Sequence, residues 1–123
     1  MTTGPRRTIL IVDDEFSSVE VLTLLLEREG LGVLSASDGL EAMERISTVK
    51  PDLVITDYMM PRMNGLQVCE KLREKPETSR VPVILVSGSF IGTLDGTQVV
   101  AFMRKPFLFD RLLTKIRSVL ADR

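Results

Sequence analysis

Apolar residues along this chain fall into short, nearly continuous runs separated by longer stretches of mixed polarity. The runs are rich in valine, isoleucine and leucine and show little alternation with polar residues. This pattern is typical of strands that are covered on both faces of a parallel sheet. The predicted strands are residues 8–12 (TILIV), 33–36 (VLSA), 53–56 (LVIT), 83–86 (VILV) and 99–103 (VVAFM).

Between and after these runs, apolar residues recur at the spacing of one helix face. The four stripes are Phe16, Val19, Leu22 and Leu26; Leu40, Met43 and Ile46; Leu66, Cys69 and Leu72; and Phe109, Leu112, Leu113, Ile116, Val119 and Leu120. Gly30 follows the first stripe, and Pro51 and Pro76 follow the second and third, as helix stop signals do. Because Cys69 lies on a stripe, we predict that it is a core residue and not a reactive thiol.

The alternation of strands and helices predicts a doubly wound α/β domain with right-handed crossovers and helices on both faces of the sheet. The pattern alone does not give the strand order. A flavodoxin-like five-stranded parallel sheet, of order 2-1-3-4-5, is the commonest small solution and is our expectation. We expect one domain over residues 8–121, a flexible N-terminus over 1–7 and a short C-terminal end at 122–123.

Composition excludes several classes of function. The chain has 123 residues, no histidine and one cysteine, which rules out histidine-dependent triads, an intrachain disulfide and a cysteine zinc cage. The net charge of −1 gives no overall field toward nucleic acid, and no apolar run approaches membrane-spanning length. We therefore expect a cytoplasmic protein that by itself binds neither nucleic acid nor membrane.

Polar residues stand where four of the predicted strands end. Asp13, Asp14 and Glu15 follow the first strand, and Asp57, Ser87 and Lys105 end or follow the third, fourth and fifth. In a parallel sheet these ends meet at one edge, which is where ligands bind in such folds. Each residue also has a plainer interpretation: an aspartate capping a helix, a turn former, a loop serine or a surface lysine. Because polar residues of this kind follow four separate strands, a shared functional site is a better explanation than four unrelated structural roles.

The charges at this edge constrain its chemistry. Two carboxylates 4 Å apart repel by roughly 4 kcal/mol at an effective dielectric constant near 20, and one lysine does not neutralise three carboxylates. Either a carboxyl group takes up a proton or a divalent cation joins the site. Oxygen ligands without histidine or cysteine favour Mg²⁺. A spare carboxylate beside Mg²⁺, a hydroxyl and an ammonium is suited to accepting a phosphoryl group.

These residues belong to motifs that resemble the receiver domains of two-component response regulators over nearly the whole chain. The motifs are ILIVDDE (9–15), ASDGLEA (36–42), DLVITD (52–57), DYMMPRMNG (57–65), PVILVS (82–87) and KPF (105–107). The resemblance implies a phosphoacceptor signalling module that is not itself an enzyme and assists only its own phosphorylation and dephosphorylation. It takes its phosphoryl group from a histidine kinase or a histidine phosphotransfer protein and acts on a downstream protein target.

The resemblance also implies a role for each site residue. Asp57 is the expected phosphoacceptor, and Ser87 and Lys105 are the expected ligands of the phosphoryl oxygens. The expected ligands of Mg²⁺ or Mn²⁺ are Asp13, Asp14, Asp57 and the backbone carbonyl of Met59. The bond between Lys105 and Pro106 is expected to be cis, and Ser87 is expected to be coupled to Phe102 in a conformational switch.

One segment departs from the family pattern. Ser87 and Lys105 are only 18 positions apart, and the segment between them carries glycines at 88, 92 and 96 without an apolar stripe. Each glycine disfavours a helix by roughly 1 kcal/mol relative to alanine. We therefore expect the fourth helix of the family, between strands four and five, to be short, distorted or absent.

Two other functions remain open. A receiver-like protein-interaction domain that acts without phosphorylation is compatible with the altered segment at 88–98. A Mg²⁺-dependent aspartyl-phosphate phosphohydrolase of the haloacid-dehalogenase type also uses Asp, Ser or Thr, and Lys. That class places a second acid two residues after its nucleophile, where this chain has Met59. The chain is expected to be either a stand-alone receiver or a fragment of a larger protein.

Overall fold

A computed structural model describes residues 6–60, 62–88 and 99–121, in which five strands and four helices are defined. The strands are β1 (Thr8–Val12), β2 (Gly32–Ala36), β3 (Leu53–Asp57), β4 (Val83–Ser87) and β5 (Val99–Arg104). The helices are α1 (Phe16–Arg28), α2 (Gly39–Thr48), α3 (Gly65–Arg73) and α4 (Phe109–Ala121). Each predicted strand is therefore present, extended by at most one residue at either end.

The five strands form one parallel sheet in the order β2-β1-β3-β4-β5. The expected doubly wound, flavodoxin-like fold and its strand order are thus confirmed. β1 and β3 are adjacent at the centre of the sheet, and β4 lies between β3 and β5. All five carboxyl ends therefore lie along the same edge.

Successive residues of the strands pack into two cores, one on each face of the sheet. On one face, Ile9 and Ile11 of β1 pack with α1 and α4; on the other, Leu10 and Val12 pack with α2 and α3. Both faces are apolar because both are covered, which is why these strands read as continuous apolar runs. Cys69 is 1% exposed in the core beneath α3, as predicted.

Helix ends follow the local sequence. The Asp38 side chain accepts a hydrogen bond from the Glu41 N–H and caps α2. Asn64 and Gln67 form a capping box at the start of α3. Gly30, with φ of +87°, follows α1 and donates to the Glu27 carbonyl, which confirms the predicted stop.

Two of the four predicted apolar stripes are wrong at their first positions. Phe16 is 76% exposed and Leu40 is 46% exposed, although the helical spacing assigned both to the core. Phe16 is the first residue of α1 and Leu40 the second of α2, so both lie at the carboxyl edge of the sheet, where the two cores end. Helical spacing specifies which face of a helix is apolar, but not how far along the helix the core reaches.

Two expectations concern residues outside the described ranges. The expected shortening or loss of the fourth family helix concerns residues 88–98, of which only Gly88 is described. Most of the expected flexible N-terminus and the C-terminal end also lie outside these ranges. Within the described part of the chain, every helix is too short or too polar to cross a membrane.

Candidate functional site

Three aspartates meet at the carboxyl edge of the sheet. Asp13 and Asp14 follow β1, and Asp57 is the last residue of the adjacent β3. One carboxylate oxygen from each lies within 4.8 Å of the other two. Asp14 is exposed, whereas the side chains of Asp13 and Asp57 are 12% and 13% exposed. Two of the three carboxylates are therefore largely shielded from solvent.

Lys105 supplies the opposite charge. Its Nζ lies 3.0 Å from Asp57 Oδ2 and 3.3 Å from Asp13 Oδ2. The backbone N–H of Lys105 donates to the Ser87 carbonyl at 2.9 Å, which ties the end of β5 to the end of β4. The Lys105–Pro106 peptide bond is cis. One ammonium thus bridges two carboxylates that belong to neighbouring strands.

The titration of Asp13 and Lys105 reflects this crowding. Burial raises the pKa of Asp13, and the charge of Asp57 adds to the increase, although the Glu15 N–H and Lys105 oppose it. For Lys105, burial alone would lower the pKa. The hydrogen bond to Asp57 and the charge of Asp13 outweigh burial and raise it. Lys105 is therefore charged at neutral pH, and the Asp13 carboxylate is less stable than an ordinary one.

The capping interpretation of Asp13 and Asp14 is not what the structure contains. The N-cap residue of α1 is Glu15, and no side-chain hydrogen bond caps this helix. Asp13 Oδ1 instead accepts from the Glu15 N–H at 2.9 Å, and Glu15 accepts from the Ser18 hydroxyl at 2.6 Å. Glu15, the fourth acid that we expected at this edge, is not part of the three-carboxylate group. Asp13 and Asp14 remain directed to the site.

Ser87 is the last residue of β4 and is 1% exposed. In the β3–β4 register Asp57 is opposite Val86, so Ser87 lies one position beyond Asp57 at the same edge. A buried hydroxyl at this position can donate to an oxygen bound near Asp57. Ser87 is already linked through its carbonyl to the backbone of Lys105.

The loop between β3 and α3 forms one wall of the site. The Tyr58 carbonyl accepts from the Gly65 N–H at 2.9 Å, which closes the loop at its base, and Met59 is 67% exposed above it. A Cβ on Gly65 would lie 2.7 Å from the Asp57 carbonyl oxygen, closer than real Cβ atoms come. Glycine at 65 is therefore required for α3 to begin this close to Asp57.

Phe102, the expected switch residue, lies on the outer strand β5 and is half-buried. Its neighbours Ala101 and Met103 pack into the core formed with α1 and α4. Because side chains alternate along a strand, Phe102 faces the other side of the sheet. In the β4–β5 register Phe102 is opposite Leu85, two residues before Ser87.

A groove of about 710 Å³ opens from the site between α1 and the segment that joins β5 to α4. Asp13, Asp57 and Lys105 line its polar end. The rest is largely apolar and includes Val21, Leu25 and Phe107. The carboxylates are thus reached along a surface with apolar walls.

Sequence reasoning did not assign a role to Asp38 or Arg62. The Asp38 carboxylate, 6% exposed, forms an ion pair with Arg62 of the β3–α3 loop. The capping pattern Asp38-x-x-Glu41 could have identified the helix start. Nothing in the linear sequence pairs residue 38 with residue 62.

Comparison with known proteins is consistent with this arrangement. The family model for the response regulator receiver domain matches residues 9–117. The transcriptional regulatory protein PhoP of alkaline phosphatase synthesis in Bacillus subtilis is 34% identical over 93% of this chain and 48% of its own length. The DNA-binding response regulator MtrA of Mycobacterium tuberculosis is 36% identical over 92% of this chain and 50% of its own. The chain spans about half the length of the curated relatives that it matches.

Similarity extends to solved structures. The response regulator protein TrrA of Thermotoga maritima, in complex with Mg²⁺-BeF, superposes with a TM-score of 0.81 at 31% identity. The match covers 92% of this chain and 98% of the other. Fold and local motifs therefore agree over almost all of the chain.

Proposed function

The chain belongs to the response regulator receiver family, and from this premise we propose that Asp57 accepts a phosphoryl group from a phosphohistidine on a partner protein. One observation carries the proposal. Asp57 lies in a group of three carboxylates that could hold a divalent cation, and its Oδ2 is 3.0 Å from the ammonium of Lys105. This is the environment that a carboxylate needs if it is to attack phosphorus while negative charge accumulates around it.

Mg²⁺ fits the residues present, and Mn²⁺ is its expected substitute. The three carboxylates carry a charge of −3 when ionised, and Lys105 offsets only one of these charges. The donors are oxygen atoms, which suits a hard cation that retains several waters. Asp13, Asp14 and Asp57 would hold the ion, and we propose the Met59 carbonyl as a further ligand. Bound there, the ion would neutralise phosphoryl oxygens.

The protein residues then have separate tasks in the transfer. An oxygen of Asp57 forms a bond to phosphorus as the bond between phosphorus and the donor nitrogen breaks, and the imidazole leaves with a proton from solvent. Lys105 turns from the Asp57 carboxylate to a phosphoryl oxygen, and the Ser87 hydroxyl donates to another. The hydrogen bond from the Lys105 N–H to the Ser87 carbonyl already holds the two strand ends together, so reorganisation is confined to the two side chains.

The partner is a histidine kinase or a histidine phosphotransfer protein, and we propose that it docks on the groove beside α1. These 123 residues include no histidine, so a histidine phosphodonor must lie outside this sequence. The groove leads from solvent to Asp57, and the exposed Val21 of α1 provides apolar contact area in its wall. An imidazole on a partner helix would enter at its polar end.

Phosphorylation would change the conformation of the β4–β5 edge. Movement of Ser87 toward the phosphoryl group frees space for Phe102 to turn inward, which changes the surface available to a protein target. The relatives include proteins named as DNA-binding, whereas this chain has a net charge of −1. We therefore propose a protein target and no direct contact of this chain with nucleic acid or membrane, in the cytoplasm.

We propose no catalysis beyond the chain's own phosphorylation and dephosphorylation. The phosphohydrolase class requires an acid two residues after the nucleophile, and Met59 has no group that transfers a proton. Water attack on the aspartyl phosphate is therefore unassisted at that position, and one phosphoryl group per chain accumulates.

Intact mass spectrometry tests this function. The chain is incubated with Mg²⁺ and acetyl phosphate, with and without EDTA, beside Asp57→Asn and the control Asp110→Asn, which changes an exposed aspartate in the first turn of α4. We expect one phosphoryl group, stable to acid and labile to hydroxylamine, on the wild type and on D110N but not on D57N. Labelling of D57N would contradict the assignment. Turnover of many equivalents would favour a phosphohydrolase, and no labelling at all would favour a binding domain.

A further inference from the structure

The β3–α3 loop, which carries Met59, is fastened to the start of α2 by two adjacent contacts. The buried Asp38 carboxylate pairs with Arg62. Next to it, Gly39 lies so close to Met63 that an added Cβ would be 2.5 Å from the Met63 Cβ. One contact is ionic and the other is steric, and both join residues 62–63 to residues 38–39.

Arg62 holds an unfavourable backbone conformation to make this contact. Its φ is +71°, in the left-handed region that non-glycine residues rarely adopt. Such conformations persist where the surroundings over-determine them. Here the surroundings are the capping box of α3, which begins at Asn64, and the ion pair with Asp38. Arg62 is therefore held through its own side chain and by the start of the helix that follows it.

The segment that pairs with this loop, residues 36–39, also contacts the opposite side of the site. The Asp13 N–H donates to the Ala36 carbonyl at 3.0 Å, two residues before Asp38. Asp38 also caps α2 by accepting from the Glu41 N–H at 2.9 Å. The segment of residues 36–39 thus contacts the backbone of Asp13 at one end and the β3–α3 loop at the other.

We propose that the Asp38–Arg62 ion pair is a positioning device that sets the Met59 carbonyl for Mg²⁺. Met59 is three residues before Arg62, and its carbonyl belongs to a loop whose base is held by the bond between Tyr58 and Gly65. The base bond holds Tyr58 and Gly65, and the ion pair adds a second point of attachment at Arg62. Loss of the arginine would also leave the Asp38 carboxylate buried without its cation. Because an unpaired buried charge is unfavourable, water would enter the loop or the Asp38 side chain would change rotamer. The inference rests on the magnesium site proposed above.

Mg²⁺ titration of the EDTA-treated protein tests the proposal without any phosphodonor. The chain has one tyrosine, Tyr58, and no tryptophan, so tyrosine fluorescence reports on the loop itself, and calorimetry gives an independent Kd. Arg62→Asn removes the cation but tolerates a positive φ. Arg80→Asn is the matched control, because it removes one exposed cation that precedes β4 at the opposite end of the sheet.

We expect R62N to weaken Mg²⁺ binding by about tenfold, the lower end of the effect of an outer-shell partner. Arg62→Lys should recover part of the loss, and R80N should leave Kd unchanged. In the metal-free protein, R62N should also speed hydrogen exchange at the Gly65 N–H. A merely structural role would lower the melting temperature and leave the Kd of the folded protein unchanged.

An R62N variant that binds Mg²⁺ as tightly as R80N would overturn the inference while leaving the proposed function intact. A wild-type chain that fails to bind Mg²⁺ at millimolar concentration would contradict both. If R62N does not fold, Asp38→Asn takes its place, because its remaining side-chain oxygen still accepts from the Glu41 N–H. D38N should then show the same weakening, and an unchanged Kd would overturn the proposal.

Discussion

The ammonium nitrogen of Lys105 lies 3.0 Å from Asp57 Oδ2, although β4 separates the strands that carry the two residues. The lysine side chain therefore spans the end of β4, where Ser87 is buried. In this arrangement the lysine compensates part of the negative charge of the carboxylates, which a metal ion would otherwise balance. We therefore expect Lys105 both to compete with the cation and to assist the proposed transfer.

Replacing Lys105 by methionine separates these two effects. With the ammonium gone, Asp13 and Asp57 should bind Mg²⁺ more tightly, by about fivefold, the equivalent of about 1 kcal/mol. Phosphorylation by acetyl phosphate should nevertheless slow by about 100-fold, because a donor to the phosphoryl oxygens is lost. Calorimetry measures the first quantity and the rate of mass increase measures the second.

Lys105→Arg serves as the control for this pair of measurements. Arginine keeps the charge but replaces the compact ammonium by a larger planar group. We expect near wild-type Mg²⁺ affinity together with slow phosphorylation. If K105M weakens Mg²⁺ binding instead, the ammonium is not a competitor of the cation.

The raised pKa of Asp13 predicts how Mg²⁺ binding depends on pH. The carboxyl group must lose its proton to ligate the ion, and in this site it takes up that proton at a higher pH than an ordinary aspartate with a pKa of 3.8. Acidification from about pH 7 to pH 4 should therefore weaken Mg²⁺ binding before ordinary carboxylates titrate. In Asp13→Asn this part of the dependence should be absent, and a curve as steep as that of the wild type would contradict the assignment.

The same shift predicts that Asp13→Asn stabilises the metal-free protein. Because the pKa is raised in the folded state, the charged form is disfavoured there, and stability decreases as pH rises through that pKa. Asparagine carries no charge and keeps the oxygen that accepts from the Glu15 N–H. In EDTA near pH 7 we expect a gain of about 1 kcal/mol, or about 4 °C in melting temperature.

The pH dependence of this gain is its control. Well below pH 3.8 the wild-type carboxyl is protonated in both the folded and the unfolded chain, so the two proteins should have the same melting temperature. Added Mg²⁺ should reverse the order at neutral pH, because only the wild type has the full ligand set. A gain that persists in acid would show that charge is not its cause.

Gly65→Ala tests the close approach of α3 to Asp57. The new Cβ would lie 2.7 Å from the Asp57 carbonyl oxygen, and backbone must shift to relieve the contact. We expect a loss of about 1–3 kcal/mol in the free energy of unfolding. Gly32→Ala in β2 is the matched variant, since its Cβ would meet its nearest atom at 3.5 Å. G32A should be neutral or slightly stabilising in the same urea titration.

A tryptophan at position 102 would report the proposed switch. The chain has no other tryptophan, so emission from Phe102→Trp monitors one side chain. Phosphorylation, or addition of beryllofluoride with Mg²⁺, should shift the emission to shorter wavelength as the ring turns inward. The shift should disappear in the Ser87→Ala background and remain with Ser87→Thr, which keeps a hydroxyl. An equal shift with S87A would uncouple the two residues.

Much of this molecule follows from its sequence, because the causes are local or generic. Continuous apolar runs at strand length specify a sheet covered on both faces, and the polar residues that end those runs must then share one edge. Asp13, Asp14, Asp57, Ser87 and Lys105 were located in this way. Gly30 as a helix stop and Cys69 as a core residue needed only neighbouring residues, and the structure agrees at both.

Other features depended on how the segments meet in space. The exposure of Phe16 is set by where the core ends, and the ion pair of Asp38 with Arg62 joins residues from two loops that only the folded sheet brings together. Periodicity records which residues share a face, because that is a property of one segment. Which charges face each other across two segments depends on their relative placement, and only the tertiary structure decided that.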